Sequence, residues 1–369
     1  MSPTFGIDAR AAVEVPAGRG RVMRELLPAL AALDGDDRFV LYARKPMQAE
    51  LGERFEWRLM RLPDPLWHLE AARLASRDCD AFLSSNSYLT CWFTRCPSAP
   101  IVYDLVPFLE GTSPQRRSAI IERATIDIGV RRAGALICIS EATRADLVDR
   151  VPSSERRAVV VPLAADDRFA DPAARDRAPE VAIKHGIERP YVLAAGTLEP
   201  RKNLLRLLEA WAVLPEVLRE SYELVLVGPV GWEADPIIDA ARAARIRLPG
   251  YIPDADLAAL YAGCELFCYP SLYEGFGLPV LEALRAGAPV LTSNLSSLPE
   301  VTGDAALLVD PLSVEAIGDG IQRILGDAGL RERLRVAGPK RAELFSWERT
   351  ARGTRDVLRA LAAARRRRR

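Results

Sequence analysis

YVLAAGTLEPRKNLLRLLEAW, residues 191–211, holds the change of pattern that decides the fold. Its first five residues are an apolar run of strand length, and GTLEPRKN is a turn-rich connection. Leu204, Leu207, Leu208 and Trp211 then recur at i, i+3, i+4 and i+7, the spacing of one helix face. The same alternation runs outward in both directions. TFGID, RFVLY, AFLSS, APIVY and ALICI precede it, and ELVLV, ELFCY, PVLTS and ALLVD follow, each separated from the next by amphipathic text. Short strands alternating with helices predict an α/β protein built on parallel sheets with helical crossovers.

ADDRFADPAARDRAPEVAIKHGI, residues 165–187, breaks the rhythm, being rich in Pro, Asp and Arg without an apolar period. It reads as a boundary between two domains. The expected division is an N-terminal domain over 1–170, a linker over 171–187 and a second domain over 188–345. A helix with a basic tail follows over 346–369. Each half is long enough for a doubly wound, Rossmann-like sheet, and a chain of 369 residues suits two such domains. Ligands of open α/β sheets bind beyond the carboxyl ends of the strands, so a cleft between facing domains is the expected site.

Composition narrows the function by exclusion. Lys+Arg and Asp+Glu are both 50, so there is no global field for nucleic acid, and no nucleic-acid partner is expected. The hydrophobic fraction is 49%, and no run approaches the roughly 18 apolar residues of a spanning helix. MSPTFGIDAR has no charged segment followed by an apolar stretch, so a cytoplasmic protein is expected. Cys79, Cys91, Cys96, Cys138, Cys264 and Cys268 are scattered and read as reduced, buried thiols. Cys264 and Cys268 have helical spacing, but neither has the partners of a zinc site.

Only Lys45, Lys184, Lys202 and Lys340 stand against 46 arginines, which singles out the Arg201–Lys202 pair at the start of a helix. Asn203 is placed to cap that helix. Its dipole and the two cations then favour an anion, and a diphosphate matches the charge and the reach. The alternative is a solvated helix start with two surface cations.

SLYEGFGLPVLEALRAG, residues 271–287, follows the strand ELFCY directly. Gly275 and Gly277 permit close backbone approach to a ligand, Pro279 suits a first helical turn and Gly287 ends the helix. Glu274 then lies in the loop and Glu282 about one turn into the helix. Carboxylates accept hydrogen bonds from vicinal diols, so one Glu suits a hexose and the other a ribose. Paired carboxylates also serve glycoside hydrolysis. The neighbouring cations favour the phosphate-bearing ligand, and the bland alternative leaves Glu282 on a helix surface.

Together, GTLEPRKNL, LVLVGPVGW, LPGYIPDADLAALYAGCELFCYPSLYEGFGLPVLEALRAGAPVLTSN and SSLPEVTGDAALLVDP resemble the nucleotide-sugar domain of glycosyltransferase family four. The likeness covers roughly residues 190–312. It implies the GT-B architecture and a retaining transferase that moves a hexose from a nucleotide-diphosphate sugar. In the family, residues matching Arg201 and Lys202 hold the donor diphosphate. Those matching Glu274 and Glu282 hold the sugar and the ribose, so Arg201, Lys202 and Glu274 form the implied catalytic group. Gly196, Thr197, Asn203, Gly275, Phe276, Gly277 and Leu278 complete the donor site, with Tyr251 and Ile252 beside the base.

The first half is similar to the family over AGRGRVMRELLPAL, IVYDLVPF, CISEATRADL and VVPLAADDRF. That likeness places Gly18 and Gly20 against phosphate and acceptor, and Tyr103 and Asp104 in the acceptor or sugar pocket. Tyr103 stands where many relatives have His, and Ala164 and Ala165 stand where many have Gly.

The resemblance implies no metal and no cofactor beyond the sugar donor. DCD at 78–80 and DAD at 254–256 imitate the metal-binding Asp-x-Asp, but DAD precedes a helical run and reads as a cap. The overall flavour is that of bacterial mannosyl transferases of polysaccharide assembly, favouring a GDP-linked over a UDP-linked hexose and a glycan or lipid-linked acceptor. Arg365 to Arg369 suggest weak contact with an anionic membrane surface at the inner face of the plasma membrane. Rival readings are a nucleotide-sugar epimerase on the same fold and an inactive homologue serving a partner transferase.

Overall fold

The computed structural model describes residues 2–16, 18–85, 87–108 and 116–367. They form two compact units, one of residues 1–163 with 346–369 and one of 164–345. The first unit holds seven strands: β1 (Thr4–Asp8), β2 (Arg38–Ala43), β3 (Phe55–Leu59), β4 (Ala81–Ser84), β5 (Ser98–Val102), β6 (Leu136–Cys138) and β7 (Ala158–Val160). They lie in the order β3-β2-β1-β4-β5-β6-β7, all parallel.

The second unit holds β8 (Tyr191–Ala195), β9 (Glu223–Val227), β10 (Arg247–Gly250), β11 (Leu266–Tyr269), β12 (Val290–Ser293) and β13 (Leu307–Val309). Their order is β10-β9-β8-β11-β12-β13, again parallel. Both sheets therefore reverse direction once, between β1 and β4 and between β8 and β11. Those are the topological switch points, where doubly wound sheets open a crevice at the strands' carboxyl ends.

Burial explains why these runs became strands. β8, β9, β11 and β12 are buried along their whole length, as parallel strands covered on both faces must be. On one face, Leu207, Leu208 and Trp211 of the Leu204–Ala212 helix pack with Val192, Leu226 and Ile317. Each such side chain contributes about 1.5–3 kcal/mol by leaving water.

The stretch expected as a linker folds otherwise. Ala173–Lys184 is a helix of the second unit, with Ala174, Ala178, Val181 and Ala182 buried along one stripe. The stripe is made mostly of alanine, so its apolar period is faint in the sequence. It packs on the helix Asp254–Gly263, and a Cβ at Gly263 would come within 2.5 Å of Ala178 Cβ.

The last helix, Trp347–Arg366, belongs to the first unit. Thr350 donates to the Pro162 carbonyl at 2.7 Å, Arg355 to the Asp34 carbonyl at 2.8 Å, and Arg359 pairs with Asp37 at 2.7 Å. The expected basic tail is partly absorbed into this contact. Arg365 donates to the carbonyls of Cys79 and Ser76, Arg366 pairs with Asp80 at 3.4 Å, and Arg368 and Arg369 lie outside the described residues. No helix among the described residues is long and apolar enough to cross a membrane.

All six cysteines are free and buried. Cys264 and Cys268 do not share a helix, because the helix ends at Gly263 and Cys268 lies in β11.

Candidate functional site

At the switch point of the second unit, the loop after β8 carries Arg201 and Lys202 and the loop after β11 carries Glu274. Adjacency of the two strands brings together residues more than seventy positions apart in the chain. Lys202 Nζ donates to Glu274 Oε1 at 2.6 Å and to the Tyr269 hydroxyl at 2.5 Å. Tyr269 donates on to the same carboxylate oxygen at 2.9 Å, as does Ser271 at 2.7 Å. Arg201 Nη1 reaches Glu274 Oε2 at 2.8 Å, and its Nη2 reaches Glu199 at 2.6 Å. Glu274 is 7% exposed and Lys202 9%, so the cluster is desolvated from one side but not sealed.

Charge states follow from that environment. Burial pushes the Glu274 carboxyl up, but Lys202, Arg201 and the hydrogen bonds to Lys202 and Ser271 outweigh it and hold it at about 2. Burial works against the Arg201 guanidinium, and Glu274, Tyr269 and Glu199 more than offset it, so its pKa lies above the ordinary value. The Lys202 ammonium is shifted down by burial and by Arg201, with Glu274 opposing. Two cations and two carboxylates balance here, a neutral group in which any anionic ligand displaces an internal partner.

The loop that presents Glu274 is clamped from a third segment. Ser296, itself at φ 59°, accepts from the Glu274 amide at 3.1 Å and donates to the Glu274 carbonyl, which Ser297 also meets at 2.9 Å. Gly277 sits at φ 99° as the residue before the helix Leu278–Arg285. A Cβ there would meet Leu298 at 2.6 Å, which explains the glycine by packing as well as by backbone angle. Phe276 is buried against Phe345 and Gly275 lies between it and Glu274. Glu282 is 3% exposed in the second turn of that helix, so it is not the surface residue of the bland reading.

Other expected residues sit where different forces put them. Asn203 precedes the Leu204–Ala212 helix at φ 60° but does not cap it with its side chain. Its amide donates to the carbonyls of Pro270 and Pro311 at 3.0 and 2.6 Å and its oxygen accepts from Arg206, so it ties three loops together instead. Gly196, at φ 149°, lies beside Lys202 and Tyr269, and Thr197 packs against Gly231. A Cβ at Gly228 would fall 1.9 Å from the Gly196 carbonyl, so this pair of glycines lets two strand ends touch. Ile252 is buried and Tyr251 exposed after β10.

DAD does not cap its helix by side chain either. Asp254 pairs with Arg168 at 3.3 Å, and Asp256 with Lys184 and His185 at 2.7 and 2.9 Å.

Gly18, Gly20, Tyr103 and Asp104 belong to the first unit. Gly18 takes φ 52° before the helix Arg19–Ala32. The need for glycine at position 20 is internal, since a Cβ would lie 1.8 Å from the Val15 carbonyl. Tyr103 follows β5. Its hydroxyl is buried without a hydrogen-bond partner among the described residues, and burial pushes the phenol's pKa up. Asp104 accepts from the Val106 amide at 3.1 Å, which shapes the turn.

Sequence reasoning missed Tyr269, Ser271, Ser296 and Ser297, all of which hold Glu274. The available signal for Tyr269 was its place at the carboxyl end of β11, five residues before the carboxylate.

Residues 179–341 match the family described as glycosyl transferases group 1. O-antigen chain mannosyltransferase B of Escherichia coli is 40% identical over 220 residues, 58% of this chain and 58% of the relative. Serotype-specific mannosyltransferase WbdA of Escherichia coli is 31% identical over 272 residues, 70% of this chain and 32% of the relative. The matched stretch thus spans under two thirds of either relative's length. Among solved structures, sucrose-phosphate synthase from Thermosynechococcus elongatus superposes with a TM-score of 0.78 at 22% identity, covering 99% of this chain and 100% of that one. That likeness shows a common GT-B fold. With its switch-point sheets of GT-B type, the chain carries in residues 179–341, nearly all of its second unit, a segment that matches the family described as glycosyl transferases group 1.

Proposed function

We propose that this chain is a retaining hexosyltransferase that moves a hexose, mannose in preference, from a nucleotide-diphosphate sugar to a glycan or lipid-linked acceptor in surface polysaccharide assembly. The observation that carries the reading is the Arg201–Lys202–Glu274 cluster, built at a switch point inside the family-matched segment. The two mannosyltransferases of Escherichia coli supply the preference for mannose and, with it, for a GDP-linked donor.

The chemistry follows from charge. Departure of a nucleoside diphosphate concentrates negative charge on its oxygens, and fixed cations in a partly desolvated site stabilise that charge more than the ground state. Arg201 supplies a planar fork and Lys202 a point charge to the same diphosphate. In the free chain both pair with Glu274, and Arg201 also with Glu199, which keeps them charged and positioned. When the donor takes over the cations, the released carboxylate accepts from sugar hydroxyls, and Glu282 in the adjoining helix is assigned the ribose. Front-face departure and attack need no protein nucleophile. The reading includes no metal and a cytoplasmic site of action near the inner leaflet.

Thermal-shift titrations with GDP, UDP, ADP and their sugars identify the base, since a ligand that binds only the folded state raises its melting temperature. With the true donor, Lys202→Ala is expected to lower kcat by about 10²–10³-fold, as for loss of an oxyanion donor. Near-normal turnover in that variant rejects the assignment. NMR of the product's anomeric centre tests retention, and activity that disappears with a chelator overturns metal independence.

A further inference from the structure

The sheet that presents Lys202 and Glu274 at its carboxyl edge carries a second concavity at the opposite edge. A pocket of about 430 Å³ lies against Pro190 and Tyr191 at the start of β8 and against Gly263 and Glu265 just before β11. That volume falls within the range of small-molecule sites. It is separated from the Lys202 cluster by the length of the strands, about 15 Å.

Its floor is apolar and firmly built. Ala178, Ala182 and Ile187 are buried there, the Tyr191 hydroxyl is bound to the Leu260 carbonyl at 2.8 Å, and Gly263 lets the two flanking helices touch. The rim is cationic. Arg175, Arg189 and Arg335 face Glu188 and Glu265, and Glu265 is shared with Arg331 at 3.2 Å. Arg335 has a side chain only 10% exposed, held by Glu265 at 3.3 Å and the Cys264 carbonyl at 3.0 Å, and its Nη1 is buried with no acceptor among the described residues. Arg175 makes no ion pair or side-chain hydrogen bond among the described residues.

We propose that this pocket is a second ligand site, separate from the sugar-donor site, that takes a small organic anion, a phosphate or carboxylate on an apolar or aromatic body. The apolar body covers the alanine floor, and the anion bridges Arg175 at the rim and Arg335 at the inner wall. Charge and shape both select this class. A bare anion leaves the floor wet, and a neutral aromatic leaves the surplus of arginine uncompensated.

Phenyl phosphate is the probe, titrated calorimetrically into the full chain. Saturable binding is expected, weakened at least about tenfold by Arg175→Glu and by Arg335→Lys and left unchanged by Lys202→Ala. Arg175 is exposed and holds no partner among the described residues, so Arg175→Glu retains the fold even where an Arg335 variant does not. No saturable binding, binding indifferent to Arg175→Glu, or binding lost in Lys202→Ala each overturns the site. The last outcome assigns the anion to the donor cluster. A failure of the pocket leaves the transferase reading untouched, because the two sites share no residue.

Discussion

The two switch points are built on one plan and filled differently. In the first unit, Arg10 follows β1 and meets Asp8 through two hydrogen bonds at 3.1 and 2.9 Å, with Asp64 at 3.0 Å and the Trp67 ring 3.7 Å away. Ser85, after β4, donates to the Asp8 carbonyl. His68 completes the group, bonded to Thr90 at 2.8 Å. Burial first, and then Arg10, push its imidazole down to about 4, so it is neutral at ordinary pH. Asp8 and Arg10 are sealed at 0% and 2% exposure, whereas Lys202 and Glu274 keep an open side. A sealed ion pair holds backbone, and an open one is available to a ligand. The contrast sets a closed charge pair against an open one within a single chain.

The largest effects come from deleting one partner of each pair. Asp8→Ala and Glu274→Ala are each expected to cost about 3–5 kcal/mol in chemical denaturation, because a buried cation loses its most buried carboxylate partner. Saturating nucleotide-sugar should return part of the loss to Glu274→Ala, whose cations meet the diphosphate, and the Asp8→Ala deficit should remain. Equal recovery in both erases the distinction.

Acid sharpens the comparison next. Glu274 is held at about 2 in the folded chain, against about 4.3 when unfolded. Its contribution is therefore whole above about pH 4.3 and is lost as pH falls toward 2, on the order of 3 kcal/mol in all. Glu274→Gln should remove that part of the pH dependence, as followed by urea midpoints from pH 5 to 2.5.

Lys202→Ala should cost less stability than Glu274→Ala, since Arg201 still pairs with the carboxylate at 2.8 Å. A loss of turnover with the fold nearly intact is its signature. Smallest of all, Tyr103→Phe removes a buried hydroxyl that bonds nothing among the described residues, and should change stability by no more than about 1 kcal/mol in the favourable direction. A clear loss of stability reveals a bound water on Tyr103.

How much of this was legible follows the sheet's own geometry. Most of the ten strands read from the sequence are buried along their length and carry at least three apolar residues; β13, an edge strand, was still legible through its Leu-Leu-Val run. The three overlooked are β3, β7 and β10, all at sheet edges: FEWRL and RLPG mix polar or turn-forming residues with apolar ones, and AVV is only three residues long. An edge strand has one covered neighbour and needs less hydrophobic text.

In the site, Arg201, Lys202, Glu274 and Glu282 were visible from residue type and spacing. Their bonding was not, because partners such as Tyr269 and Ser296 are chosen by tertiary approach of loops. Asn203 shows the limit most clearly. A residue with every mark of a cap spends its amide on two distant carbonyls.

The helix Trp347–Arg366 gives the chain a particular order of assembly. Asp37 and the Asp34 carbonyl precede the second unit in the chain, yet Arg359 and Arg355 reach them from residues that follow it. During synthesis, residues 164–345 form an unbroken stretch that can condense as soon as it emerges, while the earlier-made unit waits with that seat empty. The unit begun before residue 164 is thus completed only after residue 345, and a ribosome stalled near that point holds a completed second unit and an unfinished first.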